Sequence, residues 1–474
     1  MTRALLLAAI AMPLAAHVGS PDVFYEGSAG PYRLLVTIRP PQVVPGVAEI
    51  ELRAMTPGIR QIHIVPLRLT AQQQFAPVPD LAQPSKEDPQ YYTGTLWLMS
   101  TGSWKVRIDV EGEQGAGSLA VPVPALSSRM LPMQKTMVAI LIPLGLVLFF
   151  GLVAIAGASV REASLEEGAV ADSARVRRSR IAMCVAALAV AAVLWGGNAW
   201  WSSEAAGYGR IVYKPLTLKT AVDGRTLTLT LTDPGWLNRK TDDLLPDHGH
   251  LMHLYVIGTP AMDSVWHLHP ELTQGSTFAQ QLPDMPAGRY ALYADVVHEN
   301  GIGETATATL DLKEIHGQAL QGDDAGGSVP ALSEGDYNRN VTPLSDGYQL
   351  VWDRPNSPIR ARKPYDFRFH LLDAQGRPAD RMELYMGMLG HAAFVATDGS
   401  VFAHVHPIGS VPMPALGLAQ PENPHAMHQM IAGGIPAEVS FPYGFPKPGS
   451  YRIFVQMKRA GSVETGAFSV RVEN

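Results

Sequence analysis

Short runs in which apolar and polar residues alternate cover most of the chain on either side of residues 136–201. Alternation with period two sends one side chain to the core and the next to solvent, the pattern of a half-buried strand. Between Asp22 and Ala125 the runs are 32–38, 47–52, 62–65, 91–98, 104–110 and 119–123, separated by Gly and Pro. Six or seven strands at that spacing predict a sandwich over 22–126. The same pattern returns over 205–314 and 341–474, and the Gly-, Asp- and Ser-rich stretch between them, 315–340, reads as a linker. The expected fold class is mainly β: three immunoglobulin-like antiparallel β-sandwich domains, interrupted by a transmembrane α-hairpin.

The hairpin is expected because residues 136–160 and 181–201 carry no charge, and each stretch is long enough to cross a bilayer as a helix. Trp195, Trp200 and Trp201 suit an interfacial belt. Between the two spans, 161–180 holds Arg161, Arg175, Arg177, Arg178 and Arg180. Short arginine-rich loops stay in the cytoplasm, which predicts a bacterial inner-membrane protein with its N-terminal and C-terminal domains in the periplasm. Arg3 followed by the apolar run 4–16 reads as a signal peptide, 1–17. Neither span contains an ionisable residue, so transport by these helices alone is not expected.

Composition narrows the chemistry. A net charge of −6 offers no basic footprint, and nucleic acid is not an expected partner. The one cysteine, Cys184, falls in the second span, which excludes intrachain disulfides and cysteine-based metal sites.

The histidines are distributed very unevenly. Of the 15, 11 fall in windows 248–298 and 391–428. Each window contains His-X-His-Pro: His267-Leu268-His269-Pro270 and His404-Val405-His406-Pro407. Histidines at i and i+2 on a strand share a face, while the residue between them points inward. His253 and His391 lie 13 or 14 residues upstream of the motifs. In the second window Asp398-Gly399 is a two-residue hairpin turn that places His391 opposite His406, with His404 two residues along. Three imidazoles per repeat could then converge on one ion. Asp247, His248, His250 and His298 are further candidates in the first repeat. The alternative, polar side chains on the solvent face of a sheet, is weakened by the pattern occurring twice.

The two outer domains also match each other. Pro286-Ala-Gly-Arg-Tyr290 corresponds to Pro448-Gly-Ser-Tyr451, and the segment from Gly303 corresponds to that from Val463, which indicates a tandem duplication. Counting from the matched tyrosines sets His298 against Arg459, and His250 has no evident counterpart. The second repeat carries an insertion with Met413 and then His425, Met427, His428 and Met430. Thioether sulfur favours Cu(I), so this insertion reads either as a capture arm or as an ordinary loop.

Residues Gly30-Pro-Tyr, Val44-Pro-Gly-Val-Ala-Glu, Tyr92-Thr-Gly-Thr-Leu-Trp-Leu-Met and Gly102-Ser-Trp resemble the FixH and YtkA-like families over about a quarter of the chain. That resemblance implies a small extracytoplasmic sandwich associated with copper handling and respiratory-oxidase assembly. A looser likeness to CopC-type copper sandwiches lacks the ligands, since His63 is the only internal histidine of this domain. The paired HxHP domains are similar to uncharacterised secreted domains.

The leading expectation is a membrane-anchored periplasmic protein that binds and buffers or delivers copper, with zinc as the alternative metal. Its expected partners are the inner membrane and a respiratory oxidase or copper-handling protein. The expected ligands are His253, His267, His269, His298, His250, His248, His391, His404, His406, His425, His428, Met427 and Met430. An assembly scaffold without metal is the second expectation. A metal-dependent hydrolase or oxidase, with Glu299 or Glu304 as base, is the third. No HExxH, nucleophile elbow or P-loop supports an enzyme, and without a cysteine thiolate a blue-copper centre is excluded.

Overall fold

A computed structural model describes residues 22–70, 76–166, 168–421 and 434–474. The signal segment and the quartet His425, Met427, His428 and Met430 lie outside the described residues. The chain divides into a β unit, residues up to Ser128 with Tyr213–Asn474, and a helical unit, Arg129–Val212. The protein is mainly β with a helical hairpin, as the residue pattern predicts.

In the helical unit, α1 (Lys135–Glu162) and α2 (Ser173–Ile211) are both long and apolar enough to cross a membrane. The second helix starts inside the stretch expected as a loop. Asp172 is the reason: its carboxylate accepts from the Arg175 backbone N–H at 2.7 Å and caps the first turn. The helices meet closely at Gly157, where a Cβ would stand 2.6 Å from Met183 Cγ, and Ser179 Oγ donates to the Gly157 carbonyl at 2.7 Å.

The first β domain has eight strands between Val23 and Ala125, in spatial order 1-2-3-6-5-4-7-8. Its fifth strand, Asp80–Pro84, pairs with Ile59–Arg68 through Ala82 and with Tyr91–Leu98 through Gln83, turning the corner between two faces. Alternation fills the core: Trp104, Val106, Ile108 and Val110 are buried, while Lys105, Arg107 and Asp109 remain partly exposed.

The two outer domains share one plan. In the first, Gly303–Leu312, Gly288–His298, His253–Thr259 and Ser264–Leu268 lie side by side, and the short strand Leu244–Leu245 pairs with the end of Gly288–His298. In the second, Ser462–Glu473, Gly449–Arg459, His391–Ala396 and Phe402–Val405 follow the same order, and Met382–Glu383 pairs with Gly449–Arg459. Tyr290 donates its hydroxyl to the Pro286 carbonyl at 2.7 Å, and Tyr451 to the Lys447 carbonyl at 2.9 Å. The same contact four residues back in both domains supports duplication at the level of structure. The stretch read as a linker adds an edge strand, Ala325–Ser328, beside Ser264–Leu268.

The histidine strands are buried on both faces, which alternation at a half-solvated sheet would not produce. One face supplies each repeat's own core: Leu254, Val256, Trp266 and Leu268 in the first, Ala392, Phe394, Ala403 and Val405 in the second. The other face meets the opposite repeat. There Tyr255, Ile257, Val265 and Tyr293 pack against Ala393, Val395, Phe402 and Phe454. Tyr293 and Phe402 stack at 4.4 Å. The first domain docks on the second repeat: Phe24 sits in that repeat's core, and Ser410 donates its N–H to the Phe24 carbonyl at 3.0 Å.

Candidate metal centre

The register that aligns the hydrophobic residues also aligns the histidines. Tyr255 pairs with His267 and Ala393 with His404, which continues to His253 opposite His269 and His391 opposite His406. The side chains at 253, 255 and 257 and at 391, 393 and 395 therefore face the junction between repeats. Because these faces are pressed together, the histidines of one repeat meet those of the other. The expectation of one site within each repeat is replaced by two mixed trios: His253, His267 and His404, and His248, His391 and His406.

In the first trio the ring centroids are 5.2, 5.1 and 5.3 Å apart, and in the second 5.0, 4.9 and 5.1 Å. Three imidazoles bound tetrahedrally to one ion at about 2.0–2.1 Å would place their centroids roughly 5 Å apart. Both trios have that dimension.

The far nitrogens of the first trio are held. His253 Nε2 donates to the Asp247 carbonyl at 3.0 Å, and His267 Nδ1 donates to Gln456 Oε1 at 3.1 Å. His404 Nδ1 lies 3.5 Å from Asp295 Oδ2. With those nitrogens carrying the protons, His253 Nδ1 and His267 Nε2 present bare lone pairs to each other at 3.0 Å. Two such lone pairs repel, and about 3.3 Å is the bite of two nitrogens on one tetrahedral ion. Orientation of a ligating imidazole through its other nitrogen is the usual second layer of a metal site.

Gln456 and Asp295 occupy equivalent places, opposite His391 and His253 in register. Each is set by a threonine across the hairpin: Gln456 Nε2 donates to Thr465 Oγ1 at 3.3 Å, and Thr305 Oγ1 donates to Asp295 Oδ1 at 2.6 Å. Each repeat thus orients the HxHP histidine of the other. Sequence reasoning missed this pair, although both residues stand five positions after the matched tyrosines.

The second trio is less supported. Among the described residues, neither nitrogen of His391, neither of His406 and not Nε2 of His248 has a hydrogen-bond partner. Burial holds His253, His267, His391 and His406 well below the ordinary histidine range, helped by neighbouring imidazoles; burial and His404 bring His248 down to about 4. Neutral rings are the ligating form. Burial pushes the Asp247 carboxyl up to about 7.

His248 reaches the cluster from a tight turn. Asp247 and His250 exchange backbone hydrogen bonds at 2.8 and 2.9 Å, with φ of 50° at His248 and 90° at Gly249. Tyr385 and Met388 do the same around Met386 and Gly387, at 49° and 78°. Left-handed backbone at the second position is why each turn contains glycine there. His250 therefore does have a counterpart, Met388, and His248 corresponds to Met386.

The remaining candidates are placed as follows. His250 Nε2 lies 3.1 Å from Asp323 and His269 Nδ1 3.0 Å from Asp324, at the rim of the cluster, with carboxylates from the stretch read as a linker. His298 is not brought in: it bonds Asp243 at 2.6 Å and Glu304 at 2.9 Å, and Glu304 also takes Arg239 at 2.5 Å. Met413 starts α3 (Met413–Ala419) and packs against the first domain's core.

A family model described as a domain of unknown function, DUF8832, matches residues 215–314 and 342–474, the two repeats. No curated protein matches the chain. Among solved structures, dimeric latent PorU from Porphyromonas gingivalis is 7% identical, with 96% of this chain and 34% of that one covered at a TM-score of 0.15. Escherichia coli alpha-2-macroglobulin is 8% identical, with 96% and 31% covered at 0.18. The chain spans about a third of the length of each, and likenesses at that level carry no functional argument.

Proposed function

We propose that this protein is a membrane-anchored periplasmic metal-binding protein that holds copper, with zinc as the alternative, and buffers or delivers it. One observation carries the reading: two imidazole lone pairs face each other at 3.0 Å, with the opposite nitrogens of both rings already engaged. An unpartnered buried acceptor costs about 1–3 kcal/mol, and the cluster contains several. A cation between the rings removes the repulsion and pairs His404 Nε2 as well. Imidazole suits copper and zinc, and the divalent affinity order favours copper.

The two apolar helices serve as the anchor. Their arginine-bearing connection supports a cytoplasmic turn and β domains on the other side of the membrane. The resemblance of the Gly30-Pro-Tyr and Tyr92-Thr-Gly-Thr-Leu-Trp-Leu-Met segments to the FixH and YtkA-like families is what supports delivery to a respiratory oxidase or another copper-handling protein.

The test uses the full chain in detergent, loaded with copper, dialysed and subjected to elemental analysis. Wild type is expected to retain copper, and the triple variant His253→Ala, His267→Ala, His404→Ala to lose tight binding. Unchanged retention in the triple variant refutes the assignment.

A further inference from the structure

The two trios are in contact. His248 lies 6.2 Å from His253 between centroids, His391 lies 6.0 Å from His267 and 5.4 Å from His404, and His406 lies 4.6 Å from His404. Every histidine of one trio thus has a neighbour in the other. The trios also share Asp247: its carbonyl accepts from His253 of the first, while its Oδ1, without a hydrogen-bond partner among the described residues, stands 3.7 Å from His248 Nε2 of the second. Finally, His253 and His404 of one trio and His406 of the other line a single cleft, whose walls include Asp247, Asp295 and Pro40 of the first domain.

We propose that the six histidines form one dinuclear centre, an ion in each trio, with a position between the ions for a small bridging anion admitted from the three-domain cleft. This rests on the metal-binding reading above and adds the number of ions and their coupling. Two divalent ions in a buried all-histidine cage carry four positive charges and no ligand charge. Asp295 behind His404 and a bridging hydroxide, formed from water with release of one proton, offset part of that charge. One bridging atom joins ions about 3.5–4 Å apart, and the rings of the two trios approach to 4.6 Å between centroids.

The difference between the trios sets the order of filling. The first has an acceptor behind each ring; the second has unpartnered rings and a ligand, His248, borrowed from a turn. The first is therefore the tighter site. The second fills after it.

The experiment is a Cu(II) titration of the full chain in detergent, read by elemental analysis and by the integrated electron paramagnetic resonance signal. Wild type is expected to hold two copper ions per chain, with a signal well below that of two isolated ions, because bridged Cu(II) pairs are magnetically coupled. His248→Asn removes the imidazole and suits the left-handed backbone of this turn, where φ is 50°. That variant is expected to hold one copper per chain with the full signal of one isolated ion. Retention of one ion by wild type, or of two ions with full signal, overturns the dinuclear proposal while leaving the metal-binding reading intact. Retention of none overturns both the dinuclear proposal and the copper reading on which it rests.

Discussion

The two repeats have the same frame and different occupants. The same tyrosine hydroxyl bonds a carbonyl four residues back, the same glycine turn precedes the inner strand, and the same threonine sets the residue behind an HxHP histidine. The occupants differ: Asp-His-Gly-His against Tyr-Met-Gly-Met in the turn, Asp295 against Gln456, and His298 against Arg459. Backbone hydrogen bonds and packing require only the frame, so duplication left these positions free to diverge. Divergence has gone toward asymmetry at the junction. A symmetric pair would use equivalent positions on both sides, whereas here each repeat gives three histidines but the first gives His248 from its turn where the second gives His406 from its motif, and the carboxylates Asp247 and Asp295 come from the first repeat alone.

The buried charges at the sheet end give the largest test of that divergence. Leu244 pairs with His298 and Met382 with Arg459, so the two positions are equivalent. His298 shares Glu304 with Arg239 at 2.5 Å, whereas Glu464 has Arg459 at 3.3 Å, and Arg459 also covers Tyr348 at 3.7 Å. Arg459→Ala is therefore expected to cost about 3–5 kcal/mol, the usual cost of stripping a buried carboxylate of its partner. His298→Ala leaves Glu304 paired and costs roughly 1–3 kcal/mol. Urea unfolding of both variants checks the order; equal losses would contradict the claim that only one repeat carries a spare cation.

A smaller effect is expected behind the histidines. Gln456→Ala leaves His267 Nδ1 only the longer contact with the Tyr385 hydroxyl at 3.4 Å and loosens the ring, lowering copper affinity about 10–100-fold, the range for removing an outer partner of a ligand. Asp295→Asn keeps an acceptor near His404 and changes its charge, so the loss is expected to be smaller. Competition titrations against a chelator measure both. If Gln456→Ala leaves affinity unchanged, the cross-repeat orientation does not tune the site.

How far the residue pattern foretold this arrangement depends on which contact is asked about. Alternation and the Asp398-Gly399 turn predict the hairpin register, because a slip of one residue would turn Ala392, Phe394 and Val405 out of their own repeat's core. The matched tyrosines predict that His298 and Arg459 are equivalent. What alternation cannot convey is that the outer face of each histidine strand is covered by the other repeat. His391 and His253 look the same on a solvent face and in a junction, so the grouping across repeats was not legible. The Met386 turn was hidden for a related reason: its pairing with the His248 turn lies in positive φ values at dissimilar residues.

The smallest effect concerns pH, and it distinguishes the repeats through the same position. Burial alone would lower the His298 pKa, but hydrogen bonds and charge from Glu304 and Asp243 outweigh it and raise the value above the ordinary 6.5. A histidine with a raised folded pKa contributes stability that is fully present below its unfolded value. That stability is lost as pH rises through the folded value, because the folded state then gives up a proton it had bound more tightly. About 1 kcal/mol is the expected loss, the ordinary net worth of one hydrogen-bonded pair. The second repeat has Arg459 at this place, which stays charged throughout the range. His298→Arg therefore makes the first repeat resemble the second, and its melting temperature is expected to decline less than that of wild type above pH 6.5, the shared remainder coming from the Asp247 carboxyl, which burial pushes up to about 7. Metal-free protein is used for both, so that proton competition at the trios does not enter. A wild-type melting temperature that rises over this interval, or a decline just as steep in His298→Arg, would show that the buried pair at His298 does not contribute to the pH response.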